Sequence, residues 1–161
     1  MPNHRWLMLF FFLVLCFGAA GVGSVWTSSS VSGWYVNLRK PSFNPPNWIF
    51  APVWTTLYFL MAVSAWMVWE RAGWGGAKTA LILFFVQLAL NTAWSGLFFG
   101  LHRPGAALVE IAFLFAAIIA TTLAFRTFSM TAFWLMTPYV LWVAFAAFLN
   151  FNIWRLNSGA Q

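Results

Sequence analysis

Five long apolar runs limit what this sequence can fold into. They cover about residues 6–26, 47–69, 79–101, 105–125 and 131–154, and polar, glycine or proline residues separate them. A helix needs about 20 mainly apolar residues to cross the hydrocarbon layer of a membrane. Charged residues make up only 6% of the chain, whereas they make up about a quarter of soluble domains. We therefore predict an all-α integral membrane protein, in which residues 1–161 form a single domain with five transmembrane helices.

The connections between the runs predict how the helices are arranged. All but the first are shorter than about ten residues, so consecutive spans are expected to lie antiparallel. The first span has a second interpretation, because Arg5, an apolar core and the small residues of GAAGVGS also resemble a signal peptide. Orientation stays undecided, because the Lys and Arg residues divide equally. One side has Arg5, Arg71, Lys78 and Arg126, and the other has Arg39, Lys40, Arg103 and Arg155. Despite a net charge of +6, cations scattered in this way form no basic face for nucleic acid.

Three of the spans carry polar and aromatic residues at helical spacing. These are Gln87, Asn91, Trp94, Ser95 and Phe98 in the third, Tyr139, Trp142, Ala146 and Asn150 in the fifth, and Trp54, Tyr58, Met61 and Ala65 in the second. Each set falls on one helix face, and amides are costly against lipid, so these faces should point inward. Together they predict the wall of a pocket for a large, flat, mostly apolar ligand. The simpler alternative is that the amides only hydrogen-bond neighbouring helices.

The connection between the first and second spans is rich in proline, tryptophan and cations. It reads WYVNLRKPSFNPPNWIFAPVW (residues 34–54), and its four prolines fix φ and remove backbone donors. We predict a stiff lid loop over one end of the bundle. Its residues are Trp34, Arg39, Lys40, Pro41, Pro45, Pro46 and Trp48. Arg39 and Lys40 would lie at the mouth of the pocket and suit a ligand that carries carboxylates; the alternative is a merely rigid surface connection.

No pattern in the sequence indicates conventional catalysis. Cys16, His4 and His102 form no cluster with metal-ligand spacing, so neither a metal nor a required cofactor is expected. Glu110 has no second carboxylate or nucleophile beside it. We interpret it as a structural residue that the helix dipole and the headgroups tolerate. The GLFFG stretch (residues 96–100) is a GxxxG motif, which would allow close helix contact or a homodimer.

Three segments of the chain together resemble one known family. WYVNLRKPSFNPPNWIFAPVWTTLY, QLALNTAWSGLFFG and PYVLWVAFAAFLNFNIWRLN, in this order, are similar to the translocator protein family. The family is also called TspO or tryptophan-rich sensory protein, and formerly the peripheral-type benzodiazepine receptor. The resemblance implies a five-helix bundle, usually a homodimer, that binds porphyrins, haem and other tetrapyrroles, cholesterol and benzodiazepine-type ligands. Matched by motif, the family's ligand-site residues would be Tyr35, Trp54, Asn91, Trp142 and Ala146.

The chain also departs from the family pattern at three positions. Phe151 stands where the family's sterol motif has tyrosine, and such motifs are weak even when intact. Phe43 stands where relatives often have tryptophan, and Ala106 stands where mammalian members have a tryptophan. The resemblance therefore implies weaker recognition of sterols and of synthetic drugs.

Three functional hypotheses follow. The first is a membrane receptor or sensor that binds porphyrin and takes part in tetrapyrrole transport or regulation. Its ligand-binding residues would be Tyr35, Trp54, Tyr58, Gln87, Asn91, Trp94, Tyr139, Trp142, Ala146 and Asn150. The second is an enzyme that degrades porphyrin in light and oxygen, with Trp54 and Trp142 as catalytic residues. The third is a scaffold for a partner complex. The short loops favour a bacterial membrane over the mitochondrial outer membrane.

Overall fold

The chain folds into helices along nearly its whole described length. The computed structural model describes residues 2–159. The helices are α1 (Pro2–Val31), α2 (Trp34–Asn37), α3 (Asn47–Gly76), α4 (Lys78–Ser95), which continues as a π-helical turn (Gly96–Gly100), α5 (Pro104–Arg126) and α6 (Met130–Asn157). Within residues 2–159, all of these except α2 belong to five spans long and apolar enough to cross a membrane. The predicted all-α, five-helix membrane architecture is therefore confirmed.

The five long helices form a closed ring. Going round the ring, α1 packs against α3, α3 against α6, α6 against α5, α5 against α4, and α4 back against α1. Consecutive helices meet in each case, although α3 and α4, joined by Ala77 alone, make the sparsest contact. On α1, Phe12 and Cys16 are fully buried in the core. This helix is thus an integral part of the bundle.

The first helix extends further than its apolar run predicts. We expected the span to end near residue 26 in the TSSSVSG loop, but α1 continues to Val31. The hydroxyls in this stretch donate to carbonyls of the preceding turn, as with Thr27 to Gly23 (2.9 Å) and Ser29 to Trp26 (2.9 Å). Inside a helix, the hydroxyl groups of serine and threonine can form their hydrogen bonds with backbone carbonyls in this way. Composition alone therefore placed the end of the helix too early.

The end of α3 was also placed too early. The helix runs through Glu70 and Arg71, where we expected it to stop, and breaks at Gly73. Gly73 has φ +62°, in the left-handed region, which glycine adopts without the steric cost of a Cβ. The remaining boundaries lie within a few residues of the prediction. Pro104 is the first residue of α5. Ser129 caps the N-terminus of α6, because its hydroxyl oxygen accepts a hydrogen bond from the Ala132 backbone N–H (3.2 Å).

Two groups of buried side chains hold the bundle together. The larger runs along the ring axis and includes Phe12, Met61, Phe84, Leu114 and Met136. The smaller lies at the end that carries α2, and consists of Tyr35, Phe98, Ala107, Leu149 and Ile153. Between these groups the packing is open. The aromatic faces predicted on the second, third and fifth spans meet there.

Candidate functional site

A cavity of about 480 Å³ lies inside the bundle toward the α2 end. Aromatic side chains dominate its wall: Phe17, Tyr35, Phe50, Trp54, Tyr58, Trp94, Phe98, Phe99, Trp142 and Phe145. Exposed residues of α1 (Ser24, Ser28) and of α3 (Ala51, Thr55) also line it, so the cavity opens between these two helices. Its size is that of a pocket for a drug-sized ligand, which typically measures about 300–1,000 Å³.

A hydrogen-bonded network forms the floor of this cavity. The Tyr58 hydroxyl donates to Asn91 Oδ1 (2.9 Å), and Asn91 Nδ2 donates to the Tyr139 hydroxyl (2.6 Å). Tyr139 in turn donates to Gln87 Oε1 (2.8 Å). Tyr58 and Asn91 line the cavity, whereas Tyr139 and Gln87, both fully buried, lie beneath them. The network thus ties α3, α4 and α6 together and presents one face to the cavity.

A second set of polar contacts fixes the wall formed by α4 and α6. Trp94 Nε1 donates to Asn150 Oδ1 (3.1 Å), and Asn150 Nδ2 donates to the Pro104 carbonyl at the start of α5 (2.8 Å). Both side chains line the cavity. The indole of Trp94 also stacks on Phe98 (ring centroids 5.3 Å apart, 24° between planes). These contacts hold a broad aromatic surface rigidly in place.

Unlike Trp94, Trp142 has an indole N–H with no acceptor among the described residues. Nε1 is buried and unpaired among the described residues. The ring lines the cavity on one side and, together with Phe145, a groove between α3 and α6 on the other. Pro52 and Pro138 lie along this groove, one in each helix. Trp142 is therefore part of the wall of both the cavity and the groove.

The predicted lid loop crosses the α2 end of the bundle and is anchored at both sides. At one side, the Trp34 ring stacks on His102 (centroids 4.4 Å apart, 16° between planes). At the other, the Arg39 backbone makes two hydrogen bonds with the Asn157 side chain (3.0 and 2.9 Å). Tyr35, which lines the cavity, donates to Asn44 Oδ1 (2.9 Å). Burial raises the pKa of Tyr35, so this hydroxyl stays neutral at physiological pH.

The cations of the loop do not line the cavity. Arg39 is exposed, and Lys40 lies over the Tyr35 ring (Nζ 4.8 Å from the centroid) while donating to the carbonyls of Val36 and Leu38. Pro41, Pro45, Pro46 and Trp48 are likewise absent from the lining, and Trp48 is 73% exposed. At this end of the bundle Tyr35 and Asn47 line the cavity instead, and Lys40 lies against the tyrosine ring.

Of the ten predicted ligand-binding residues, the structure places eight around the cavity. They are Tyr35, Trp54, Tyr58, Asn91, Trp94, Trp142, Ala146 and Asn150, and the other two, Gln87 and Tyr139, form the layer below. Their role in ligand binding stays a prediction. Sequence reasoning missed the α1 side of the cavity, which presents Ser24, Thr27 and Ser28. The sequence shows their helical spacing, but the polar stretch TSSSVSG (residues 27–33) favours a loop there.

The GxxxG motif packs within the chain. A Cβ at Gly100 would lie 3.1 Å from Trp26 Cδ1, and one at Gly96 would lie 3.3 Å from Trp26 Cζ3. The two glycines therefore provide a flat surface for an indole of α1. This contact fixes α1 against the π-helical turn at the cavity wall.

The fold and the cavity together define a class of protein: a helical-bundle integral membrane protein with an internal aromatic cavity beneath a proline-rich loop. Comparison with known proteins identifies the family. Residues 10–155 match the TspO/MBR family, and the chain belongs to it. This confirms the resemblance found in the sequence.

Named relatives cover nearly the full length of the chain. It is 41% identical to the tryptophan-rich protein TspO of Chlorobaculum tepidum over 157 residues, which cover 96% of this chain and 99% of that protein. It is 44% identical to the tryptophan-rich protein TspO of Archaeoglobus fulgidus over 145 residues (90% and 92%). It is 41% identical to the translocator protein of Homo sapiens over 141 residues (86% and 83%).

Proposed function

We propose that this membrane protein is a receptor or sensor that binds porphyrins and related tetrapyrroles in the aromatic cavity. The observation that carries the proposal is the wall itself: ten aromatic side chains surround a space of about 480 Å³. A flat, conjugated and mostly apolar macrocycle gains both burial and ring stacking in such a space. The opening between α1 and α3 gives it a way in.

The few polar groups suit the edges of such a ligand. Asn91 and Asn150 both line the cavity, so their side-chain amides lie beside such a ligand. Porphyrins also carry carboxylates, which a cation beside the cavity would stabilise. Lys40 fits this role once it exchanges its two carbonyl partners for the ligand. The proposed role is tetrapyrrole transport or regulation, in a bacterial membrane, with sterol as a weaker ligand and a homodimer as the assembled form.

The test is a titration of the purified protein with protoporphyrin in the dark, with tryptophan fluorescence as the readout. We expect saturable quenching, with Trp142→Phe and Asn91→Ala each weakening Kd by about tenfold, which corresponds to about 1.4 kcal/mol. The matched control is Trp134→Phe, which removes a 61% exposed tryptophan from the same helix. Linear quenching that all four proteins share would contradict the proposal and favour the scaffold hypothesis.

A second candidate function is degradation of porphyrin in light and oxygen. The observation that favours it is that Trp54 and Trp142 both line the cavity, so a bound ring would lie against two oxidisable indoles. Illumination of the porphyrin complex in air separates this function from binding alone. Degradation predicts that Trp142→Phe, at saturating porphyrin, loses the light-dependent bleaching that the Trp134→Phe control retains. Equal bleaching in both variants, or bleaching at the rate of free porphyrin, would leave binding as the function.

A further inference from the structure

Glu110 is an acidic side chain inside a membrane-spanning helix, and its carboxyl group has no hydrogen-bond partner among the described residues. Both carboxyl oxygens are buried, and neither is paired with another described residue. It lies six residues after Pro104, about 9 Å along α5 at 1.5 Å per residue. The sequence suggested that the N-terminal dipole of this helix would tolerate the charge. The free backbone donors of a helix lie in its first turn, however, and Glu110 is beyond them.

An ionised carboxylate in this position has nothing to offset its desolvation. A buried charge without a partner is strongly unfavourable, and such groups become neutral instead. Among the described residues, the one ion pair joins Arg5 to Glu70 (3.0 Å) at the other end of the bundle. Glu70 is therefore a carboxylate with a cationic partner, and its side chain is 35% exposed. The two acidic side chains of the sequence lie in opposite environments.

The elements packed against α5 supply no compensating cation. These elements are α4, α6, the π-helical turn and, more sparsely, α3. Their ionisable side chains are Lys78 on α4, Tyr139 and Arg155 on α6, and Tyr58, Glu70 and Arg71 on α3, while Arg103 and Arg126 flank or end α5 itself. No cation among these forms an ion pair with Glu110. Tyr139, in the floor network of the cavity, is within electrostatic range of the carboxyl group.

We propose that Glu110 is an intramembrane proton-binding site, held as a neutral carboxylic acid between the helices of the folded bundle. The bound proton removes the charge that the surrounding side chains do not compensate. Its release would place an uncompensated negative charge inside the bundle, within electrostatic range of Tyr139, which connects through Asn91 to the cavity. The site binds a proton whether or not the cavity holds a ligand. The inference is therefore independent of the proposed function.

Infrared spectroscopy of the protein in lipid bilayers tests this proposal directly. A protonated carboxylic acid has a carbonyl stretch that a carboxylate lacks. Glu70→Gln leaves Glu110 as the one acidic side chain of the 161-residue sequence, and Glu110→Gln leaves Glu70. At pH 7 we expect the acid band in Glu70→Gln and in the wild type, and its absence in Glu110→Gln. A missing band in Glu70→Gln would overturn the proposal, even if Glu110→Gln does not fold.

The pH dependence of thermal unfolding gives a second measurement. A native state that binds a proton more tightly than the unfolded chain loses stability as the pH rises. The Tm of the wild type should therefore fall as the pH rises from about 5, just above the ordinary pKa of a glutamate, to about 7, and by several degrees more than that of Glu110→Gln, since 1 kcal/mol shifts Tm by about 2–4 °C at this size. Parallel Tm curves for the two proteins would count against proton binding at Glu110.

Discussion

Replacing Asn91 with alanine tests whether the floor network stabilises the bundle. Asn91 is 1% exposed, accepts from Tyr58 and donates to Tyr139. The substitution leaves the Tyr58 hydroxyl without its acceptor, while Tyr139 keeps its bond to Gln87. Hydrogen bonds between membrane helices contribute about 0.6 kcal/mol on average and up to about 1.7. A buried group left unpaired costs about 1–3 kcal/mol.

These values predict that Asn91→Ala lowers the free energy of unfolding by about 2 kcal/mol. The lost bond to Tyr58 and the lost bond to Tyr139 each account for about half of this. Tyr58→Phe should cost about 1 kcal/mol, because it leaves one oxygen of Asn91 unpaired. The double variant should cost no more than Asn91→Ala alone, since the shared bond is already lost. The expected coupling energy between the two sites is thus about 1 kcal/mol.

Equilibrium unfolding in mixed micelles, with an increasing fraction of denaturing detergent, measures all four proteins. Asn152→Ala is a matched control, because among the described residues that amide bonds only the Phe148 carbonyl of its own helix (2.8 Å). Combined with Tyr58→Phe, its effect should be additive. If the Asn91 and Tyr58 substitutions also proved additive, the two side chains would not act as a pair and the reasoning would be refuted.

Three further substitutions probe other contacts by thermal unfolding. Gly100→Ala should lower the free energy of unfolding by more than about 1 kcal/mol, because its Cβ would lie 3.1 Å from Trp26. Gly21→Ala, whose Cβ would meet nothing within 4 Å, should be neutral or stabilising. Equal effects of the two substitutions would show that the glycine surface under Trp26 has no special role. Ser129→Ala should lower the free energy of unfolding by about 1 kcal/mol, because it removes the N-cap of α6. Ser129→Asp should keep most of the stability, since aspartate also caps helices. An aspartate variant as unstable as the alanine variant would show that the cap does not stabilise α6. Glu70→Gln should change stability by less than about 1 kcal/mol, as is typical of exposed ion pairs; a larger loss would mean that the pair with Arg5 is worth more than its exposure suggests.

The membrane spans and their inward faces could be predicted because both follow from short-range physics. The thickness of the hydrocarbon layer sets the length of an apolar run. The cost of placing an amide in lipid makes the side chains of Gln87, Asn91 and Asn150 point into the bundle, and all three are buried. The helix ends were less predictable. Serines that bond their own helix extended α1, and the break at Gly73 depends on one backbone conformation.

Depth and long-range contacts were beyond what the sequence pattern shows. Helical periodicity places Gln87 and Asn91 on one face, but it does not tell that Asn91 borders a cavity and Gln87 lies beneath it. The anchors of the lid, Trp34 on His102 and Arg39 on Asn157, join residues far apart in sequence. A count of cations near a predicted mouth likewise could not show that Lys40 turns toward the Tyr35 ring.

The position of Trp142 makes the surrounding lipid part of the cavity. Trp142 lines both the cavity inside the bundle and the groove that Pro52 and Pro138 border, so at this point one residue separates the two spaces. Whatever acyl chain or detergent tail fills the groove presses on the reverse side of the surface that a ligand would touch. We therefore expect the Kd of a ligand to vary with bilayer composition. For the same reason, Kd values measured in two detergents should differ, because the wall at Trp142 contacts a different detergent tail in each.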